Sequence, residues 1–216
     1  MDWSVISRNL PLLMGGLLTT FKLAAFALLG GLPLGILVGL GRISSKKWIY
    51  YPVSFYVNFL RNIPLILVIF WFYFAMPIII GEPLNPFPSA VIAFIIFEAT
   101  YFGEIVRAGF QSVSKGQIQA GYPTGMTYFQ VMRYIVIPIA LRRMVPSLLT
   151  QSIVTFQDTC LAYVIGLREF VRTASIIDTR EVRSIELFTF VAVVFLIICY
   201  TGSFISKRLE VKEEAT

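Results

Sequence analysis

Charge is so sparse along this sequence that five long stretches carry little or none of it: Leu23 to Gly41, Asn62 to Gly81, Ser89 to Val106, Met144 to Leu167, and Leu187 to Ser206. A helix rises about 1.5 Å per residue, so roughly 20 residues cross a hydrocarbon layer about 30 Å thick. Four of the stretches reach that length unaided. Glu98 and Glu104 interrupt the third, whose apolar run alone is short. With 57% hydrophobic and 14% charged residues in 216, a soluble globule would have too little polar surface. The chain is therefore read as an all-α membrane protein.

The positive charges sort only if the third stretch is also a span. With five spans, Arg42, Lys46, Lys47, Arg107, Lys115, Arg133, Arg142, Arg143, Lys207, Arg208 and Lys212 fall on one side. Arg8, Arg168, Arg172, Arg180 and Arg183 fall on the other, and Lys22 and Arg61 lie near or within spans. The richer side is cytoplasmic by the positive-inside rule. This predicts five transmembrane helices with the N-terminus outside and the C-terminus cytoplasmic. The net charge of +6 then reflects topology and an anionic inner leaflet and calls for no nucleic acid. Cys160 and Cys199 both fall in apolar spans, where they read as small packing residues. The first residues lack a basic stretch ahead of a short apolar core and a small-residue cleavage site, so the first span is expected to be retained.

No repeat or low-complexity tract divides the chain, and residues 1–216 read as one domain. Residues 1 to 20 are expected to form a short outer segment, with Lys22 reaching the outer surface. Gly30, Gly31, Pro33, Gly35, Gly39 and Gly41 give the first span a small-residue seam along which another helix can approach. The outer stretch from Arg168 to Glu186 sets four arginines against Glu169, Asp178, Glu181 and Glu186, either a docking surface for a soluble partner or a solvated helix face. A five-helix unit encloses no pore alone, so pairing with a second copy or a close relative is expected.

One hydrophilic piece stands out on the inner side. Gly116-Gln117-Ile118-Gln119-Ala120-Gly121-Tyr122-Pro123-Thr124-Gly125 is followed, nine residues after that last glycine, by Ile135-Val136-Ile137-Pro138. Each glycine costs about 1 kcal/mol in a helix interior, so 114–137 is predicted to form short helices joined by turns. The spacing resembles the EAA motif of ABC-importer permeases: Glu-Ala-Ala, three residues, Gly, nine residues, Ile, one residue, Leu-Pro. Gln119 stands where that motif has Glu, Gly121 where it has its second Ala, and Ile137 where it has Leu. Pro123 occupies a position usually held by a helix former, and Gln119 keeps hydrogen-bonding capacity while losing charge.

Further matches extend the resemblance from about Met14 to Lys207. Phe59-Leu60-Arg61-Asn62-Ile63-Pro64-Leu65 resembles the family's Arg-x-x-Pro signature, and Glu104-Ile105-Val106-Arg107-Ala108-Gly109 its Glu-Ile-x-Arg-x-Gly. Phe156-Gln157-Asp158-Thr159-Cys160-Leu161 resembles Lys-Asp/Asn-Thr-Ser-Leu. Phe97-Glu98-Ala99-Thr100-Tyr101, Phe156-Gln157-Asp158-Thr159 and Arg172-Thr173-Ala174-Ser175 look most like the glutamate/aspartate branch of the polar amino-acid permeases. The resemblance implies a type I ABC-importer permease fold in a bacterial inner membrane. Gly116, Gln117, Gln119, Ala120, Gly121, Gly125 and Pro138 would form the contact with the ATPase. The implied partners are a second permease copy or homologue, two ATPase subunits and an extracytoplasmic amino-acid-binding protein.

Ionisable groups at membrane depth are costly, about 2.5–3.5 kcal/mol each at a helix centre, and usually face a cavity or a partner. Glu104 and Arg107, three apart, read as a local ion pair. Arg61 suits a structural role near a span end. Glu98 and Asp158 have no charged neighbour one turn away and are the better candidates to line a path, with Arg61 answering a substrate carboxylate. The chain has no histidine and no Gly-Lys pair, hence neither the commonest general base and metal ligand nor a phosphate-cradling loop. No metal or cofactor is expected, and ATP would be bound by a partner chain. The rival reading is a secondary transporter or channel subunit relaying ions through Glu98, Glu104 and Asp158. A membrane enzyme lacks a nucleophile–base or metal set, and an accessory scaffold is a further reading.

Overall fold

The structure, a computed structural model, describes residues 2–214, with side chains through Lys207. Arg208 and Lys212, counted above among the inner-side charges, have side chains outside that description. The described residues are helical, with no strand among them. A short α1 (Ser4–Arg8) leads into α2 (Leu10–Arg42), then α3 (Lys47–Arg61) and α4 (Leu65–Ile80), which contains a π turn at Trp71–Ala75. Next come α5 (Pro86–Gln111) and the short α6 (Lys115–Gly121). We call the composite helix over 128–158 α7: Tyr128–Val131, a π turn at Met132–Val136, then Ile137–Asp158. A 3₁₀ stretch at Thr159–Ile165, α8 (Phe170–Glu181) and α9 (Ser184–Glu214) complete the chain.

By length and apolarity α2, α5 and α9 can cross a membrane, and α3 with α4 makes a fourth if the pair, bent by 104°, counts as one broken span. Pro64 sets the bend: it has no N–H to continue α3 and biases Ile63 away from helical geometry. The helix of the second apolar stretch therefore begins at Leu65 rather than Asn62. The third stretch proves longer than its charge-free run, because Glu98 and Glu104 point into protein and do not limit the helix. Over the fourth stretch α7, which carries Arg142 and Arg143 just ahead of Met144, gives way after Asp158 to the 3₁₀ segment, which stops at Gly166 with φ +78°.

The expectation of a separate outer segment over 1–20 is corrected by α2. Pro11 sits in its first turn, where a missing N–H costs nothing, and the helix then runs unbroken for 33 residues. At 1.5 Å per residue that is roughly 50 Å, longer than the roughly 30 Å an apolar layer needs, so its first turns are free for other contacts. They pack against α8, where Gly16 lies against Thr173 and the hydroxyl of Thr20 accepts the Phe170 N–H at 3.1 Å. α8 is capped by Glu169, whose carboxylate accepts the N–H groups of Val171 (2.8 Å) and Arg172 (2.7 Å). Glu169 and Glu186 are buried, so the stretch from Arg168 to Glu186 does not display its four acids as one balanced surface.

The glycine seam meets α5. A Cβ on Gly31 would sit 3.2 Å from that of Glu98, one on Gly35 2.5 Å from that of Phe102, and one on Gly39 2.6 Å from that of Val106. Gly103 reciprocates against Val38. The four-residue spacing of these glycines is one ridge of a helix, and α5 lies in the groove it leaves.

Candidate functional site

Two cavities run between the α3–α4 bend, α5 and α7. The first, about 600 Å³, is walled by Glu104 and Arg107 of α5, by Ser112 just past its end, and by Arg143 and Ser147 of α7. The second, about 480 Å³, is walled by Asn62 to Leu65 at the bend, Phe97 of α5, and Val154 and Asp158 of α7. Arg61, Tyr101 and Gln151 line both. On α7 the lining positions 143, 147, 151, 154 and 158 fall at spacings of three and four, which is one helical face. On α5 the positions 97, 101, 104 and 108 do the same.

Glu104 anchors the first cavity. Its Oε1 accepts Arg42 Nε at 2.8 Å, and its Oε2 accepts Arg107 Nη2 at 2.8 Å and Nε at 3.0 Å. Arg61 Nη1 lies 3.6 Å from the same Oε2, and its guanidinium stands 4.9 Å from the Tyr101 ring centroid. The expected Glu104–Arg107 pair is present, but it is one part of a cluster in which three arginines surround one carboxylate. Arg143 donates to the Ser112 carbonyl, joining α7 to the end of α5.

Of the three residues expected to line a path, Arg61 and Asp158 face the second cavity together. Glu98 stands behind the wall. It is fully buried against Gly31, its Oε2 accepts Gln151 Nε2 at 2.9 Å, and its Oε1 has no hydrogen-bond partner among the described residues. Glu98 therefore touches the cavities through Gln151. Sequence reasoning missed Gln151, Tyr101, Arg42 and Arg143. The α7 spacing carried a signal for Gln151 and Arg143, whereas Arg42 meets Glu104 across 62 positions and left no local trace.

The segment after α5 forms two capped helices. Ser114 caps α6 with a reciprocal bond to Gln117, and Thr127 caps α7 in the same way with Gln130. Gln117 is thus occupied in holding its own helix. Gly125, with φ +81°, makes the turn between them. Gly116 sits inside α6 without breaking it, so the interruptions predicted at Gly116 and Gly121 reduce to the turn at Tyr122–Thr124 and Gly125. Gly121 is buried, with the place of a Cβ 2.9 Å from Ile135 and Val131, and so it serves a contact within this chain. The nine-residue spacing to Ile135 thereby acquires a reason: it returns α7 onto α6. Gly116, Gln119, Ala120, Gly125 and Pro138 are exposed, as are the rings of Tyr122, Tyr128, Phe129 and Tyr134.

A helical membrane bundle with a charged, two-chambered cleft on one side and a capped polar hairpin beyond it has the build of a transport permease. The chain belongs to the family of binding-protein-dependent transport system inner membrane components, whose family model matches residues 31–212. It is 41% identical over 216 residues to the glutamate/aspartate import permease protein GltK of Escherichia coli O6:H1, covering 97% of this chain and 96% of that one. It is 36% identical over 211 residues to the glutamine transport system permease protein GlnP of Escherichia coli K12, with 97% and 96% covered. A solved amino acid ABC transporter with histidines matches at a TM-score of 0.90 and 30% identity, over 100% of this chain and 99% of that one. The chain is a multi-pass inner-membrane permease subunit of an ABC amino-acid importer with the type I fold.

Proposed function

We propose that this permease takes up glutamate and aspartate, one amino acid at a time, through the cleft between the α3–α4 bend, α5 and α7. The observation that carries the reading is that Arg61 and Asp158, of opposite sign, share the wall of one chamber of about 480 Å³. An amino acid presents a carboxylate and an ammonium, and such a pair orients both. Arg107 and Arg143 in the adjoining chamber favour a substrate with a second carboxylate. The identity to the glutamate/aspartate permease, 41% against 36% for the glutamine permease, points the same way.

Within this reading the chain has five spans, α7 with its 3₁₀ extension supplying the fourth, the N-terminus outside and the C-terminus cytoplasmic. Residues 114–137 form the coupling piece, with Gln119, Ala120 and the rings of Tyr122 and Phe129 offered to a separate ATPase subunit. Two such ATPases, a second permease copy or homologue and an extracytoplasmic binding protein complete the assembly. ATP-driven closure of the ATPase pair shifts the bundle between two packings. An ion-gradient carrier relaying through Glu98, Glu104 and Asp158 is the weaker reading, since Glu104 is already held by Arg42 and Arg107. The test is ATP-dependent uptake by the reconstituted complex with glutamate, aspartate and glutamine in competition. Glutamate and aspartate should displace each other, and Asp158→Asn should cut uptake at least about tenfold. Wild-type rate and selectivity in Asp158→Asn and Glu98→Gln would end the cleft assignment.

A further inference from the structure

Arg61, Tyr101 and Gln151 line both chambers, so these three side chains form the neck between them. Arg61 carries the charge there, and it is the loosest member of the Glu104 cluster. Its 3.6 Å contact lies outside hydrogen-bonding range, while Arg42 and Arg107 hold the same carboxylate at 2.8 Å. Its side chain is 41% exposed, against 13% for Arg42 and 30% for Arg107. Glu104 therefore has two close partners without Arg61, and Arg61 has a second chamber within reach on its other side.

We propose that Arg61 is an exchangeable gate for which Glu104 is the stand-in carboxylate. Parked beside Glu104 and over Tyr101, Arg61 closes the neck. A substrate carboxylate entering the chamber walled by Asp158 draws Arg61 off Glu104 and opens the way to the chamber walled by Arg107 and Arg143. The exchange is favourable because a directly hydrogen-bonded guanidinium–carboxylate fork is far stronger than a half-exposed contact at 3.6 Å. Gln151 acts as a positioning residue. Its amide nitrogen is engaged by the buried Glu98, which leaves its amide oxygen as an acceptor for the substrate ammonium at the neck. The gate rests on amino-acid import alone, since every amino acid brings an α-carboxylate, and it does not depend on the acidic side chain.

The experiment uses the reconstituted complex with its ATPase and binding protein, supplied with whichever of glutamate, aspartate or glutamine the wild type imports fastest. ATP hydrolysis without substrate and uptake per ATP are both measured. Arg61→Gln should lower uptake about tenfold or more and raise substrate-free hydrolysis. Glu104→Gln should raise substrate-free hydrolysis and lower uptake per ATP, and adding Arg61→Gln to it should raise that hydrolysis less than Arg61→Gln does in the wild type, because there the two groups act as one contact. Arg61→Lys, which keeps charge without the fork, should fall between wild type and Arg61→Gln. Unchanged uptake and hydrolysis in Arg61→Gln, or single effects on substrate-free hydrolysis that multiply in the double variant, would overturn the gate. If Glu104→Gln fails to assemble, the two Arg61 variants decide by the same readouts. A wild type that prefers glutamine defeats the acidic-substrate reading and leaves the gate comparison standing.

Discussion

The two faces of α5 do opposite things. One, with Glu98, Phe102, Gly103 and Val106, closes onto the glycine ridge of α2 so tightly that added methyl groups have no room. The other, with Phe97, Tyr101, Glu104 and Ala108, opens onto cavities of several hundred cubic ångströms. Packing by small residues fixes the first face. Charge holds the second, and charges can exchange partners where close-packed backbones cannot slide. The contrast suggests a helix clamped on one side so that its other side can work.

The clamp is the easier half to break. At Gly39 a side chain would meet Val106 Cβ at 2.6 Å and the Gly103 carbonyl oxygen at 2.7 Å, and that backbone cannot yield. Gly39→Leu should destabilise the protein by about 3 kcal/mol, seen as a lowered melting temperature in detergent; an unchanged melt would mean that the two helices do not meet in this register. Where clamp and cleft join, Arg42 and Glu104 tie α2 to the working face at 2.8 Å, each side chain 13% exposed. Arg42→Gln should cost about 1.5 kcal/mol and lower uptake more than Gly39→Ala variants of equal stability do. A loss of stability with no loss of transport would place that pair wholly with the clamp. Gly15 lies on the same helix with nothing within 4 Å, and Gly15→Ala should raise stability by about 0.5 kcal/mol. If it destabilises instead, a neighbour covers that face.

The smallest effect belongs to neither face of α5. At the N-terminal end Arg8 and Asn9 reach Glu181 of α8 at 2.9 and 3.2 Å, and the backbone N–H of Asp2 donates to Glu186 at 2.8 Å. The hydroxyl of Ser4 holds the Asp2 carboxyl below its ordinary value, and the amide of Asn9, then Arg8, does the same for Glu181. Both pKa values are depressed in the fold, so their stabilisation is present above the ordinary carboxylate range and is lost as pH falls through the depressed values. Amide exchange in α1 and α8 should quicken below about pH 4 while that of α2 and α5 stays slow; equal quickening everywhere would refute a local clasp.

The membrane class, the glycine seam and the short helices after α5 were legible because each leaves a pattern within one helix or at a fixed offset. Gly31, Gly35 and Gly39 repeat every four residues, and Gly125 precedes Ile135 by a set interval. The three-arginine cluster was not legible, since Arg42 and Arg61 come to Glu104 from helices whose approach only the fold decides. Glu98 shows the opposite failure: the sequence marks it as an isolated charge in an apolar stretch but not which face it takes, and it lies behind Gln151 rather than on the cavity wall. Small residues permit any close approach, so the sequence offers Gly121 to a partner surface, whereas in the fold its close approach is internal, to Ile135 and Val131.

The assignment of the cleft as the amino-acid path is tested most directly by placing one thiol in it. With Cys160 and Cys199 replaced by alanine, Val154→Cys, on the chamber wall with Asp158, is labelled by a bulky water-soluble thiol reagent in the assembled complex. Labelling should abolish ATP-driven uptake, and excess substrate should slow it. A fully labelled complex that transports as before would contradict the account.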